Sequence, residues 1–271
     1  MVKERHIERL VKRADNDETI KKIIGIIKER EKRLSFNIFG NETEELSLDM
    51  YGYSLYMRKL GAPSSIDTLY DIFEDGRHQL FEGFDGKGSR VAVDVGANEG
   101  YYVLKLKKEE PGLEIYAFEP NPGAFEMLEK NIEANGLERV HVFHQAVSDS
   151  KEHETAFQYV DSVSAIGGFR IWGVRPWLPD EMILDLVVET TTLDDELEDV
   201  KEIDIIKIDV EGAECRVLAG AKKTLAKTRM AVIEYHGPDN RDMVKNIMES
   251  HGFTLRLDTH RECGDLYFSR D

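Results

Sequence analysis

Cysteine is nearly absent from this 271-residue chain: only Cys215 and Cys263 occur, too few for a disulfide framework and without zinc-site spacing. No apolar run approaches the roughly eighteen residues of a membrane span. The first residues, MVKERHIERLVKR, are charged throughout and lack the apolar centre of a signal peptide. Together these absences give the expectation of a cytoplasmic protein. Positive charge is also short, with 36 Lys and Arg against 53 Asp and Glu and a net charge of −17. Such a surface repels phosphate backbones and disfavours nucleic-acid partners. The exception is residues 1–34, where eleven basic and seven acidic residues leave +4. That segment reads as a solvated helix face.

Hydrophobic residues, at 41%, suffice for a full core. Helical periodicity marks residues 4–14 and, after an interruption at Asp15-Asn16-Asp17, a second helix to about Leu34, where Ile20, Ile23, Ile24 and Ile27 recur at helix spacing. Residues 47–60 and 64–74 read as further helices, broken at Gly61-Ala62-Pro63. Residues 1–88 are therefore expected to form an N-terminal helical cap, which could wall an acceptor pocket or support a homodimer. From Arg90 the pattern changes. Apolar runs at Val91–Val95, Glu114–Phe118, Val140–Ala146, Ile203–Ile208, Met230–Tyr235, Phe253–Leu257 and Cys263–Ser269 alternate with helical stretches near 100–109, 122–135, 213–226 and 240–251. Such alternation predicts a doubly wound α/β fold over 89–271, with a mostly parallel seven-stranded sheet and an antiparallel edge. An insert at about 150–190 interrupts it, with a strand pair expected near 154–160 and 183–189. Between them Arg170, Trp172, Arg175 and Trp177 fall in a stretch read as a lid.

The sharpest local signal is Asp94-Val95-Gly96-Ala97-Asn98-Glu99-Gly100 at a strand-to-helix turn. The dinucleotide fingerprint fails here, because Asp94 and Glu99 stand where its first and third glycines belong and no base offsets them. Carboxylates and exposed carbonyls suit an ammonium or sulfonium, while helix N–H groups can receive a carboxylate. S-adenosylmethionine carries all three groups. Glu119 ends the second strand, 25 residues beyond Asp94, where an acid can accept both ribose hydroxyls.

Five motifs in order carry a family resemblance: Val93–Gly100, Phe118-Glu119-Pro120-Asn121-Pro122, Gln145–Asp149, Thr191–Asp195 and Ile206–Glu214. They resemble those of FkbM-type methyltransferases over about residues 90–235. The resemblance implies a class I, Rossmann-like, S-adenosylmethionine-dependent enzyme, most often an O-methyltransferase of small molecules and sugars, that releases S-adenosylhomocysteine. It implies that Asp94, Gly96, Ala97, Asn98, Glu99 and Gly100 hold the methionine part and Glu119 the ribose. Pro120 and Asn121 belong to the same cofactor set, and Gln145 and Ala146 would lie against the adenine.

Ligands of open α/β sheets bind beyond the carboxyl ends of the strands. There Lys207, Asp209 and Glu211 share one strand face, and Glu234 and His236 share another. An unpaired ammonium at Lys207 would be costly, so pairing with Asp209, Asp94 or Glu234 is expected. These five residues form the expected catalytic set, with His236 the natural base at an ordinary pKa near 6.5 and Asp209 an alternative base that also borders the cofactor. Asp209, Glu211, Glu234 and His236 could hold a divalent metal, but no distinctive metal spacing is present and none is favoured. The expected function is O-methylation of a small hydroxylated metabolite, sugar or glycan. An RNA methyltransferase docking through residues 1–34 and a non-catalytic cofactor-binding protein are the alternatives.

Overall fold

A computed structural model describes residues 11–33, 45–58, 62–74, 91–160, 163–169, 183–260 and 263–270. Residues 11–13 are helical, and Ala14 bridges to Met50. Helix α1 (Asp17–Arg33) starts at Asn16, whose Oδ1 accepts the Thr19 N–H at 2.8 Å. Of its expected apolar stripe, Ile23 is buried while Ile24 is exposed.

Residues 47–60, expected to be helical, are instead an antiparallel hairpin of β1 (Glu45–Met50) and β2 (Tyr53–Arg58). Tyr51 and Gly52 both take positive φ, 60° and 82°, as a two-residue hairpin turn requires. Leu48, Met50, Leu55 and Met57 are buried at a period of two. Helix α2 (Ala62–Phe73) follows, with Pro63 tolerated in its first turn. The expected glycine-rich turn at 83–88 lies outside the described residues.

The main sheet uses β3 (Val91–Val95), β4 (Glu114–Phe118), β5 (Val140–Phe143), β10 (Ile203–Ile208), β11 (Thr228–His236), β12 (Thr254–Asp258) and β13 (Cys263–Ser269), in the order β12-β13-β11-β10-β3-β4-β5. Among the described residues β13 alone runs against its neighbours. The chain is therefore a doubly wound α/β protein with a mostly parallel seven-stranded sheet. Helices α3 (Tyr101–Glu109) and α4 (Pro122–Ala134) follow β3 and β4. Alternate sheet residues divide two cores. Ala92, Ile115, Ile205 and Val232 pack with Ile23, Leu48, Leu55, Ile66 and Leu69 of the N-terminal elements, while Val93, Phe118, Ile206 and Ile233 face the other side.

Two asparagines of α4 fasten the hairpin. Asn131 accepts the Tyr56 N–H at 2.6 Å and donates to its carbonyl at 2.9 Å; Asn135 does the same for Ser54, both at 2.8 Å. Spaced one helical turn apart, they satisfy a strand edge that would otherwise stay unpaired.

The expected strand Val140–Ala146 divides: β5 stays in the main sheet, and β6 (Ala146–Val147) pairs with Thr190 and Thr191 of β9 (Ile183–Thr191). With β7 (Glu152–Val160) and β8 (Val163–Phe169), these form a four-stranded sheet, β6-β9-β7-β8. Residues 163–169, expected within the lid, are thus a paired strand; Arg170, Trp172, Arg175 and Trp177 lie outside the described residues. Short helix α5 (Leu193–Glu196) precedes β10. The helix expected over 213–226 breaks into α6 (Glu214–Ala219) and α7 (Lys222–Ala226) at Gly220, where an added Cβ would lie 2.2 Å from the Ser148 carbonyl oxygen. Helix α8 (Pro238–Ser250) closes the sheet's second face.

Candidate functional site

Three strand ends meet at the glycine turn. Gly96 has φ +82°, and a Cβ there would stand 1.9 Å from the Asp209 carbonyl oxygen, so this approach of β3 to β10 admits only glycine. The Gly96 and Ala97 N–H groups donate to the Phe118 carbonyl at 3.0 and 2.9 Å, and the Asp209 N–H donates to the Val95 carbonyl. Asn98, also left-handed at φ 51°, directs its N–H to Glu119 Oε2 at 2.8 Å. The Asn121 N–H donates to Glu119 Oε1 at 2.7 Å. Both carboxylate oxygens are thereby fixed by main-chain donors. Burial pushes the Glu119 carboxyl up, the two N–H donors pull it back, and the balance leaves it at about 7.

Beside this turn lies a cavity of about 260 Å³. Its wall includes Gly96, Ala97, Asn98, Glu119, Pro120 and Asn121 from the first two strand ends, with Gln145 and Ala146 from the third. Lys207, Asp209, Glu211, Glu234 and His236 face the same space from β10 and β11. The expected residues are thus brought together, with three exceptions. Asp94 is buried beneath the cavity, bound to Lys207. Glu99 turns away: it is fully buried and accepts the Tyr101 hydroxyl at 2.7 Å, in contact with Ser65 and Arg58 as well. Its place is a bolt for the N-terminal elements rather than the cavity. Gly100 contributes its left-handed φ of 86° at the start of α3.

Lys207 Nζ lies 3.2 Å from Asp94 Oδ1, 3.2 Å from the Gly96 carbonyl and 3.5 Å from Asp209 Oδ2. Burial lowers the pKa of the ammonium, but Asp94 and Asp209 outweigh it and hold it above its ordinary value. The remaining Asp94 oxygen is buried without a hydrogen-bond partner, and burial raises the Asp94 carboxyl against the downward pull of Lys207.

His236, the expected base, lies between two carboxylates. Nδ1 is 2.9 Å from Glu214 Oε1 and Nε2 is 3.3 Å from Glu211 Oε2. Burial disfavours the imidazolium, yet the Glu214 hydrogen bond and the Glu211 charge prevail and raise the ring to about 10. Each ring nitrogen thus faces a carboxylate oxygen. Asp209, Glu211 and His236 offer ligand atoms within 4.8 Å of one another, but Lys207 and His236 already balance much of their charge.

Glu214 and one face of α2 join the site beyond the residues expected there. Ser64, Asp67, Thr68 and Asp71 reach the cavity wall. A polar stripe at spacings of three and four on an otherwise apolar helix is the signal that marks them. Phe157 of β7 adds an aromatic surface from the insert.

A glycine turn, a clamped acid after the second strand and a cluster of acids around Lys207 and His236 at the next two strand ends thus meet at one cavity of a doubly wound fold. The methyltransferase FkbM domain family matches residues 94–267, and this chain belongs to it. The chain is 29% identical over 209 residues to 31-O-demethyl-FK506 methyltransferase FkbM of Streptomyces tacrolimicus, covering 68% of this chain and 80% of that protein. It is 30% identical over 162 residues to 2-O-methyltransferase NoeI of Sinorhizobium fredii, covering 55% and 64%. A third relative is the AMB antimetabolite synthetase AmbE of Pseudomonas aeruginosa, 29% identical over 221 residues. The chain spans 64% of NoeI and a tenth of AmbE. Methyl transfer is thus the activity of its family. Among the described residues no helix is long and apolar enough to cross a membrane.

Proposed function

We propose that this chain is an S-adenosylmethionine-dependent O-methyltransferase acting on a small hydroxylated metabolite, sugar or glycan. The observation that carries the reading is Glu119, whose two oxygens are held by the Asn98 and Asn121 N–H groups while its carboxylate borders the cavity. A carboxylate fixed in this way is ready to accept two vicinal ribose hydroxyls at little ordering cost. The residues fit the cofactor's charge as well: the cluster of Asp94, Asp209 and Glu234 around Lys207 leaves negative charge for a sulfonium and an ammonium. When bound, S-adenosylmethionine supplies an electrophilic methyl group for in-line transfer.

Gly96, Ala97 and Asn98 border the amino-acid part, and Pro120, Asn121, Gln145 and Ala146 flank the base. Asp209, partly exposed to the cavity and steadied by Lys207, takes the proton that the acceptor hydroxyl releases. Helix α2 walls the acceptor side, which gives the segment before the sheet a part in substrate choice. The relatives named as 2-O- and 31-O-demethyl methyltransferases support oxygen as the methylated atom. The acidic cavity and the net charge of −17 speak for a metabolite or glycan over RNA.

Calorimetric titration with S-adenosylmethionine and, separately, NAD tests the reading. Micromolar binding of the first alone is expected, with about a hundredfold loss in Glu119→Ala. A preference for NAD, or unchanged affinity in the variant, overturns the assignment.

A further inference from the structure

The second carboxylate on His236 has a consequence for the reaction's proton. We propose that Glu214 is a positioning residue that keeps the His236 ring doubly protonated, with Nε2–H turned toward the acceptor end of the cavity. His236 then serves as a hydrogen-bond donor, and the proton of the acceptor hydroxyl goes to Asp209. The chemical part of this inference rests on the methyltransferase reading above; the state of the ring does not.

The geometry comes first. Glu214 is fully buried and its Oε1 accepts two donors, the Gly212 N–H at 2.9 Å and His236 Nδ1 at 2.9 Å. The main-chain donor fixes the carboxylate, and the carboxylate fixes the ring. On the opposite side, Glu211 stands at φ 51° and Gly212 at φ 103°. That left-handed pair folds the chain back at the end of β10 and brings Glu211 Oε2 to 3.3 Å from Nε2. The His236 main chain is anchored by its own N–H, which donates to Asn240 Oδ1 at 3.2 Å.

A neutral imidazole has one N–H and one lone pair. Between two carboxylates, one on each nitrogen, the neutral ring would aim its lone pair at an acceptor, whereas the imidazolium donates to both. The charged groups facing the ring are Glu214 and Glu211 in contact and Asp209 beyond them, all negative. The nearest cation of the cluster, Lys207, is engaged with Asp94 and Asp209. Burial opposes the charge but is outweighed.

A ring in this state has no lone pair to receive a proton. As the acceptor oxygen bonds to the methyl carbon, the carbon–sulfur bond breaks with its electron pair left on sulfur. The hydroxyl proton is taken up by the Asp209 carboxylate. Nε2–H, which rests on Glu211 Oε2 at 3.3 Å, exchanges that partner for a neighbouring oxygen of the acceptor.

The test is long-range ¹H–¹⁵N spectroscopy of the full chain labelled at histidine, followed from pH 6 to 10, with the His236 signals assigned by their loss in His236→Asn. Both ring nitrogens should show protonated shifts through pH 8.5. In Glu214→Gln the titration midpoint should fall by two or more pH units, about a hundredfold in proton affinity. If that variant fails to fold, Glu211→Gln serves instead, with a smaller fall expected. A single neutral tautomer at pH 7.5 in the unaltered chain overturns the proposal, as does a midpoint that neither variant moves. Selective broadening of the His236 signals by stoichiometric Mn²⁺ also overturns it, in favour of a metal site. Calorimetry with S-adenosylmethionine on the same samples separates the two readings. Absent binding with a doubly protonated ring refutes the cofactor assignment alone, and binding with a neutral ring refutes the role of Glu214 alone.

Discussion

The two ends of the cavity handle buried acid in opposite ways. At the end proposed for the cofactor Glu119 is met by two main-chain N–H groups and, among the described residues, no ion pair to it is formed. At the acceptor end Asp94, Asp209, Glu211 and Glu214 are met by the cations Lys207 and His236. Main-chain donors leave a carboxylate able to accept neutral hydroxyls. Ion pairs lock charge in place and set which group can still move a proton.

The largest expected effect breaks the acceptor end. Lys207→Met leaves Asp94 and Asp209 without their cation and should cost about 3–5 kcal/mol of stability in urea unfolding. A loss below about 1 kcal/mol would mean that the cluster is held by something other than its ammonium. Next, Asn131→Ala strips partners from the Tyr56 N–H, the Tyr56 carbonyl and the Glu99 carbonyl, and should cost roughly 2–3 kcal/mol. Undiminished stability would show that the hairpin does not depend on α4.

The titrations sharpen the contrast, because both ends have raised values in adjacent windows. Glu119, raised from 4.5 to about 7, contributes stability that is fully present below 4.5 and lost as pH rises through 7. His236, raised from 6.5 to about 10, contributes stability fully present below 6.5 and lost as pH rises through 10. Each window should show a slope of about 1.4 kcal/mol per pH unit in unfolding free energy. Glu119→Ala should flatten only the lower window and Glu214→Gln only the upper; a variant that flattens both would show the two ends to be coupled.

Cofactor affinity follows the opposite sign at Glu119. Only the ionised carboxylate accepts both hydroxyls, so affinity for S-adenosylmethionine should weaken about tenfold for each pH unit below 7. Calorimetry at pH 6 and pH 8 would register it, and equal constants would remove Glu119 from the ribose. The smallest effect belongs to Asp209→Asn, which keeps the shape of the site and should change cofactor affinity by less than about threefold while slowing methyl transfer. Full transfer in that variant would remove Asp209 from proton uptake.

Much of the fold is legible along the chain. Val91–Val95, Glu114–Phe118, Ile203–Ile208 and Cys263–Ser269 coincide with their largely apolar runs, because strands covered on both faces carry mostly apolar residues. The hairpin at 45–58 is read as a helix because its alternation is short and Tyr51-Gly52 is an uncommon turn pair. Strand β8 is hidden because Val163–Phe169, with Gly167 and Gly168, gains its order from pairing with β7 rather than from its own pattern.

By itself the sequence determined the doubly wound sheet, the glycine turn, the acid 25 residues later and the order of motifs that marks the family. These are local or periodic properties, set by which faces are apolar and where φ must be positive. Only the tertiary structure decided that Glu99 points to Tyr101, that α2 walls the cavity and that His236 sits between two carboxylates. Spacing shows which strand end a side chain occupies. Its charge depends on carboxylates brought within about 3 Å by residues more than twenty positions away, and that distance exists only in the folded chain.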